Sequence, residues 1–169
     1  SIERYSIEHH DRLVDMFINW GGNDFIHPWV RSRAALNVQL GDNKVQQHPY
    51  HPSYMYSASI QSLSNFPITG AIWYQGESNE QNVELHEVIF EELISSWRRA
   101  WNKDFPFYFV QLSGMGVGRE TWGHFRDSQR RLSQSISNIG MAVSFDMGDR
   151  ADVHPKNKKP IGERLAFKA

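Results

Sequence analysis

One stretch restricts the fold more than any other. Over residues 68–101 a short uncharged apolar run turns abruptly into a long amphipathic one. Ile68-Thr69-Gly70-Ala71-Ile72-Trp73-Tyr74 has the length and unbroken apolarity of a strand buried on both faces. From Glu80 to Trp101, the residues Phe90, Leu93, Ile94, Trp97 and Trp101 recur at helical spacing. The heptapeptide Trp73-Tyr74-Gln75-Gly76-Glu77-Ser78-Asn79 is therefore a strand-to-helix corner. Ser78-Asn79-Glu80-Gln81 predicts a capping box, with Ser78 at the N-cap and Gln81 at N3. In open α/β sheets such corners lie at the carboxyl ends of the strands, where ligands bind. A Gln, a Glu, a Ser and an Asn crowd this one, which marks it as a candidate site.

The rest of the chain extends the same pattern. Phe105 to Leu112 is a second buried strand, and strand, helix, strand make a βαβ unit with parallel strands. Ser113 to Gly123 is a glycine-rich loop at the corner's end of the sheet. A helix is expected over His124 to Ile136, with Phe125, Leu132 and Ile136 on one stripe, then a third strand over Gly140 to Phe145. A last helix is expected from about Pro160. Upstream, Leu13 to Trp20 reads as a strand running into Gly21-Gly22-Asn23-Asp24, a turn that leaves amides exposed, and Ser53 to Ser64 reads as a helix. The fold class is α/β throughout.

Bulk properties narrow the function classes. A length of 169 residues fits one domain, 1–169, able to bury a proper core. The net charge is −1 and the one basic stretch is Lys156 to Lys159, which argues against a nucleic-acid surface. No apolar run is long enough to cross a bilayer. Cysteine is absent, which excludes a disulfide framework and thiolate metal ligation and leaves the compartment open. His9-His10 and the pair His48 and His51 have no partners at ligand spacing, so no metal or other cofactor is expected.

Two places carry candidate chemistry. His154 follows the third strand with Asp146, Asp149 and Asp152 close before it. A carboxylate on one imidazole nitrogen fixes the tautomer and stabilises the imidazolium formed when the base takes a proton. Asp152 is nearest, while Asp146 and Asp149 remain candidates. At the corner, Gln75 offers a neutral amide donor to a developing oxyanion. Ser78 follows a Gly-x-Ser pattern but lacks the closing glycine of a nucleophile elbow, so it is a weak alternative nucleophile beside its capping role.

The corner, Asp152-Val153-His154-Pro155-Lys156-Asn157-Lys158 and Gly162-Glu163-Arg164-Leu165-Ala166, in this order and spacing, resemble the sialate O-acetylesterase family of SGNH hydrolases. Trp20-Gly21-Gly22-Asn23-Asp24 resembles that family's second block, usually Trp-Gly-Gly-Thr, and the likeness runs from about Asn19 to Ala169. It implies a three-layer α/β/α, flavodoxin-like fold and removal of O-acetyl groups from sialic acid or related acetylated sugars through a serine acyl-enzyme. It implies His154 as base and acid, Asp152 as its orienter, and an oxyanion hole from Gly22, Gln75 and Asn79. The broader SGNH group carries a Gly-x-Asn-Asp block, under which Asn23 would take the oxyanion role instead of Gln75. The family's nucleophile sits in an early Gly-Gln-Ser-Asn block that ends a first strand, and no such block occurs here. The chain therefore reads as the later part of a catalytic domain, with the serine on an upstream segment or a second polypeptide. A non-catalytic carbohydrate-binding piece and an acetyl xylan esterase are the alternatives. Family habit places such proteins outside the cytoplasm.

Overall fold

The computed structural model describes residues 53–116 and 120–169, together with the helical positions Pro28, Ser32 and Leu36. The strand expected over Leu13 to Trp20, the turn with Gly22 and Asn23, and the histidines at 9, 10, 48 and 51 lie outside these residues. The chain divides into two compact units, 1–67 and 68–169. In the first, the expected helix forms as a π-helical run, Tyr56–Ile60, continuing into the short α1, Gln61–Leu63.

The second unit is built on three parallel strands, β1 (Ala71–Trp73), β2 (Phe107–Val110) and β3 (Ile139–Ala142), in that spatial order. Helices α2 (Val83–Ala100) and α3 (Trp122–Ser135) connect them, and α4 (Lys159–Ala166) closes the chain. Strand periodicity assigns the faces. Ala71 and Trp73 register with Phe107 and Phe109 and then with Ile139 and Met141. This face meets α2 and α3 in one core of Phe90, Ile94, Phe105, Phe107, Phe109 and Leu132. Trp73, Trp97 and Phe107 pack there edge to face or tilted, with centroids 6.0 to 6.4 Å apart, as aromatic quadrupoles favour. The opposite face carries Ile72, Tyr108 and Gly140 in register, and α4 packs against β2 and β3. The result is the expected three-layer α/β/α arrangement. Ile72, in the middle of β1, is 69% exposed.

The capping box is corrected. Residues 77–81 form turns, and α2 begins at Val83 with Asn82 before it and no side-chain cap. The amide of Asn79 donates to Gly76 O (2.9 Å) and that of Asn82 to Asn79 O (3.0 Å), so two successive turns replace the first helical turn. Tertiary partners decide this: Thr121 Oγ1 donates to the buried carboxylate of Glu80, tying the turn to the start of α3. At its other end α2 stops at Asn102, in the left-handed region at φ 46°. Among the described residues no helix is long and apolar enough to cross a membrane.

Candidate functional site

The corner leaves β1 through Gly76, whose φ of 147° is costly for any residue with a Cβ. A side chain there would also press into the Phe125 ring, 3.0 Å away, with Leu112 just beyond. Gly76 thus lets the backbone lie directly on a buried cluster of Leu112, Trp122 and Phe125. Beside it, Gln75 Nε2 donates to Asn79 Oδ1 at 2.6 Å. One of the two Nε2 hydrogens is used to orient the amide, and Asn79 keeps its own NH2 as a donor. Tyr74 precedes them with its hydroxyl buried and unpartnered; burial, then the nearby Glu77 charge, raises its pKa above the ordinary phenol value.

The loop after β3 is fastened to the loop after β2 along its length. Ser144 Oγ donates to Gln111 O (2.5 Å), and Gly114 N donates to Phe145 O (3.1 Å). Met115 and Asp149 form a parallel bridge, and Gly116 N donates to Arg150 O (3.3 Å). Val153 then packs on the same Leu112, Trp122 and Phe125 cluster that carries Gly76. The two sequence-predicted stretches, far apart along the chain, therefore rest on one hydrophobic platform. Trp122 fixes that platform by donating Nε1–H to Ser113 O at 2.8 Å.

Among the three aspartates, geometry separates the roles. Asp146 accepts a two-pronged bond from Arg164, 2.6 Å on each oxygen, which lowers its pKa. Asp149 accepts from the amide of Ala151 (2.9 Å). Asp152 Oδ1 accepts both the backbone N–H and the ring Nδ1–H of His154, each at 2.9 Å. First the backbone bond and then the ring bond lower the Asp152 pKa, favouring its ionised form. An ionised carboxylate only accepts, so of the two neutral tautomers this contact selects the one with the proton on Nδ1 and the lone pair on Nε2. The His154 side chain is 75% exposed. Ser78 is half-buried and makes no hydrogen bond with the imidazole.

Several contributors escape a sequence reading. His86 on α2 is buried and stacks on Phe125 beneath the corner, and Glu80 anchors the turn through Thr121. Arg126 reaches over the ring of Phe145 (4.4 Å) and donates Nε–H to Leu112 O at 3.0 Å, bracing both strand ends. Only the placement of Phe125 on the apolar stripe signalled any of this in advance. Among the described residues, no group of three His, Cys, Asp or Glu side chains is arranged to hold a metal.

A parallel sheet between helical layers, with Asp152 bonded to His154 beyond the last strand, is the architecture of the SGNH-hydrolase fold class. Residues 20–169 match the family model described as carbohydrate esterase, sialic acid-specific acetylesterase, and the chain belongs to that family. It is 33% identical to the mouse sialate O-acetylesterase over 69% of this chain and 26% of that protein. The human sialate O-acetylesterase is 30% identical over 87% of this chain and 33% of its own length. A crystal structure of a carbohydrate acetylesterase from Xanthomonas citri superposes with a TM-score of 0.67 at 35% identity. That match covers 78% of this chain and 31% of the other. The chain thus spans a third or less of the length of these relatives.

Proposed function

We propose that this chain supplies the base and part of the oxyanion hole of a carbohydrate O-acetylesterase acting on O-acetylated sialic acids or related acetylated sugars. The observation that carries the reading is the shared platform: Val153 beside His154 and Gly76 beside Gln75 both lie on Leu112 and its aromatic neighbours. His154 Nε2 takes the proton of a serine hydroxyl as that oxygen attacks the acetyl carbonyl. The Gln75 amide donates to the tetrahedral oxyanion, with Asn79 fixing the Gln75 side chain. Collapse breaks the ester bond, and the imidazolium gives its proton to the departing sugar oxygen. Water, deprotonated by the same imidazole, then attacks the acetyl-enzyme and releases acetate and the free serine.

No Gly-Gln-Ser-Asn block occurs among the 169 residues, so the serine belongs to a segment upstream of them or to a second polypeptide. The exposure of Ile72 in the middle of β1 fits an added element packing on that face. The same reading carries an extracytoplasmic location, checked by fractionating the host cell. The test is acetyl release from acetylated sugars by the full-length protein and its His154→Ala variant. Loss of turnover with an unchanged fold is expected, and retained turnover removes His154 from the mechanism. A fluorophosphonate probe that labels the full-length protein upstream of Ser1 supports the enzyme. No labelling at all favours a carbohydrate-binding piece, and labelling at Ser78 overturns the assignment of the nucleophile.

A further inference from the structure

We infer that Lys158 and Tyr74 form a clasp that sets the distance between the histidine loop and the Gln75 corner. This makes Lys158 a positioning residue for the reaction, an inference that rests on the esterase reading. Lys158 Nζ stands 4.8 Å from the centroid of the Tyr74 ring, within range of a cation–π attraction. Tyr74 immediately precedes Gln75, and Lys158 lies four residues beyond His154. The contact therefore runs from one half of the site directly to the other.

The bonds already described do not set that distance. Asp152 orients the imidazole within its own loop, and Asn79 orients the Gln75 amide within its own turn. Neither links loop to corner. Val153 anchors the loop on one side of His154 through the hydrophobic platform. On the other side Lys158 has a fixed backbone, because its carbonyl accepts the Gly162 amide at 3.1 Å in the first turn of α4. Its ammonium group makes no ion pair among the described residues, whereas the next residue, Lys159, pairs with Glu163. Tyr74 has a buried, unpartnered hydroxyl, so the ring face is what it offers to the loop. His154 is thus bracketed by one apolar and one cation–π attachment. A reacting geometry held from both sides is what an acyl transfer between groups on separate segments requires.

The test uses the full-length protein, a small neutral acetyl ester and an acidic acetylated sugar. Lys158→Gln is expected to lower kcat about three- to five-fold on both substrates, the range of an exposed cation–π contact, with KM little changed. Lys158→Arg restores kcat, because a guanidinium also sits on an aromatic face. Tyr74→Leu matches Lys158→Gln, and the double variant is no worse than either. Hydrogen exchange supplies a readout that needs no turnover. Amides of residues 152–158 are expected to exchange faster in Lys158→Gln and at the native rate in Lys158→Arg. Native exchange in Lys158→Gln overturns the clasp even if the protein has no esterase activity. An effect confined to KM for the acidic sugar overturns it too, since Lys158 would then bind substrate. An inactive wild type whose exchange rates still follow the pattern refutes the esterase reading alone.

Discussion

His86 lies almost flat on Phe125, the ring centroids 4.3 Å apart and the planes inclined at 17°, with its Nε2 buried and unpartnered. The contact puts an ionisable group inside the platform under Gly76. Burial lowers the His86 pKa from 6.5 to about 4, only partly opposed by the Glu87 charge. As pH falls through 6.5, the unfolded chain takes up a proton that the folded chain refuses. Stability present above pH 6.5 is therefore lost as pH falls toward about 4, by roughly 3 kcal/mol in all. His86→Phe should stack in the same place and flatten this limb. Melting temperatures at pH 7 and pH 4.5 check it, and equal acid losses in the two proteins would sink the assignment.

Gly148 fixes how closely the loops after β2 and β3 approach. A methyl group on it would fall on the backbone of Gly114, where no side-chain rotation relieves the overlap. Gly148→Ala is expected to cost about 1–3 kcal/mol, as overpacking does, and to loosen the bridge between Met115 and Asp149. Because that bridge precedes Asp152 and His154, kcat should fall along with the denaturation midpoint. An unchanged midpoint would mean that the two backbones do not pack as described.

Much of this arrangement was legible in residue order, and the misses share a cause. Periodicity placed three parallel strands and the helices between them because apolar runs and stripes are local signals. It placed the start of α2 four residues early, because Ser78 and Gln81 have the right local spacing for a cap. What overrode them was a partner 41 residues away, Thr121 on Glu80, which no window of sequence contains. The choice among Asp146, Asp149 and Asp152 stays open in residue spacing until Arg164, 18 residues on, claims Asp146. His86 reads as one more position on an amphipathic helix, and only the packed Phe125 shows it to be a buried neutral base.

Arg98 works at the end of the sheet opposite the site. Its Nε donates to Phe105 O (3.1 Å), and its terminal nitrogens donate to Ser137 O (3.0 Å) and Asn138 O (2.7 Å). One guanidinium thus joins the last turn of α2 to the segments entering β2 and β3. A lysine cannot reproduce that fork. Arg98→Lys is expected to cost about 1–3 kcal/mol in urea denaturation while kcat at low temperature stays unchanged. A midpoint identical to wild type would show that the carbonyls find other partners.

Asp152 should matter to turnover far more than to stability. Its single oxygen Oδ1 takes both the main-chain and the ring N–H of His154. In Asp152→Asn the carbonyl oxygen can still accept the main-chain amide. Turned toward the ring, however, the new NH2 donates to Nδ1 and drives the proton to Nε2, the nitrogen that must accept one. The side chain is about half exposed, so the fold loses little by the change. In the full-length protein kcat is expected to drop on the order of 10²-fold or more, with KM and the urea midpoint close to wild type. Asp152→Glu, longer by one methylene, should recover part of kcat but not all, because one oxygen can no longer meet both donors. A kcat for Asp152→Asn within about two-fold of wild type would remove the carboxylate from the mechanism and leave the imidazole oriented by its loop alone.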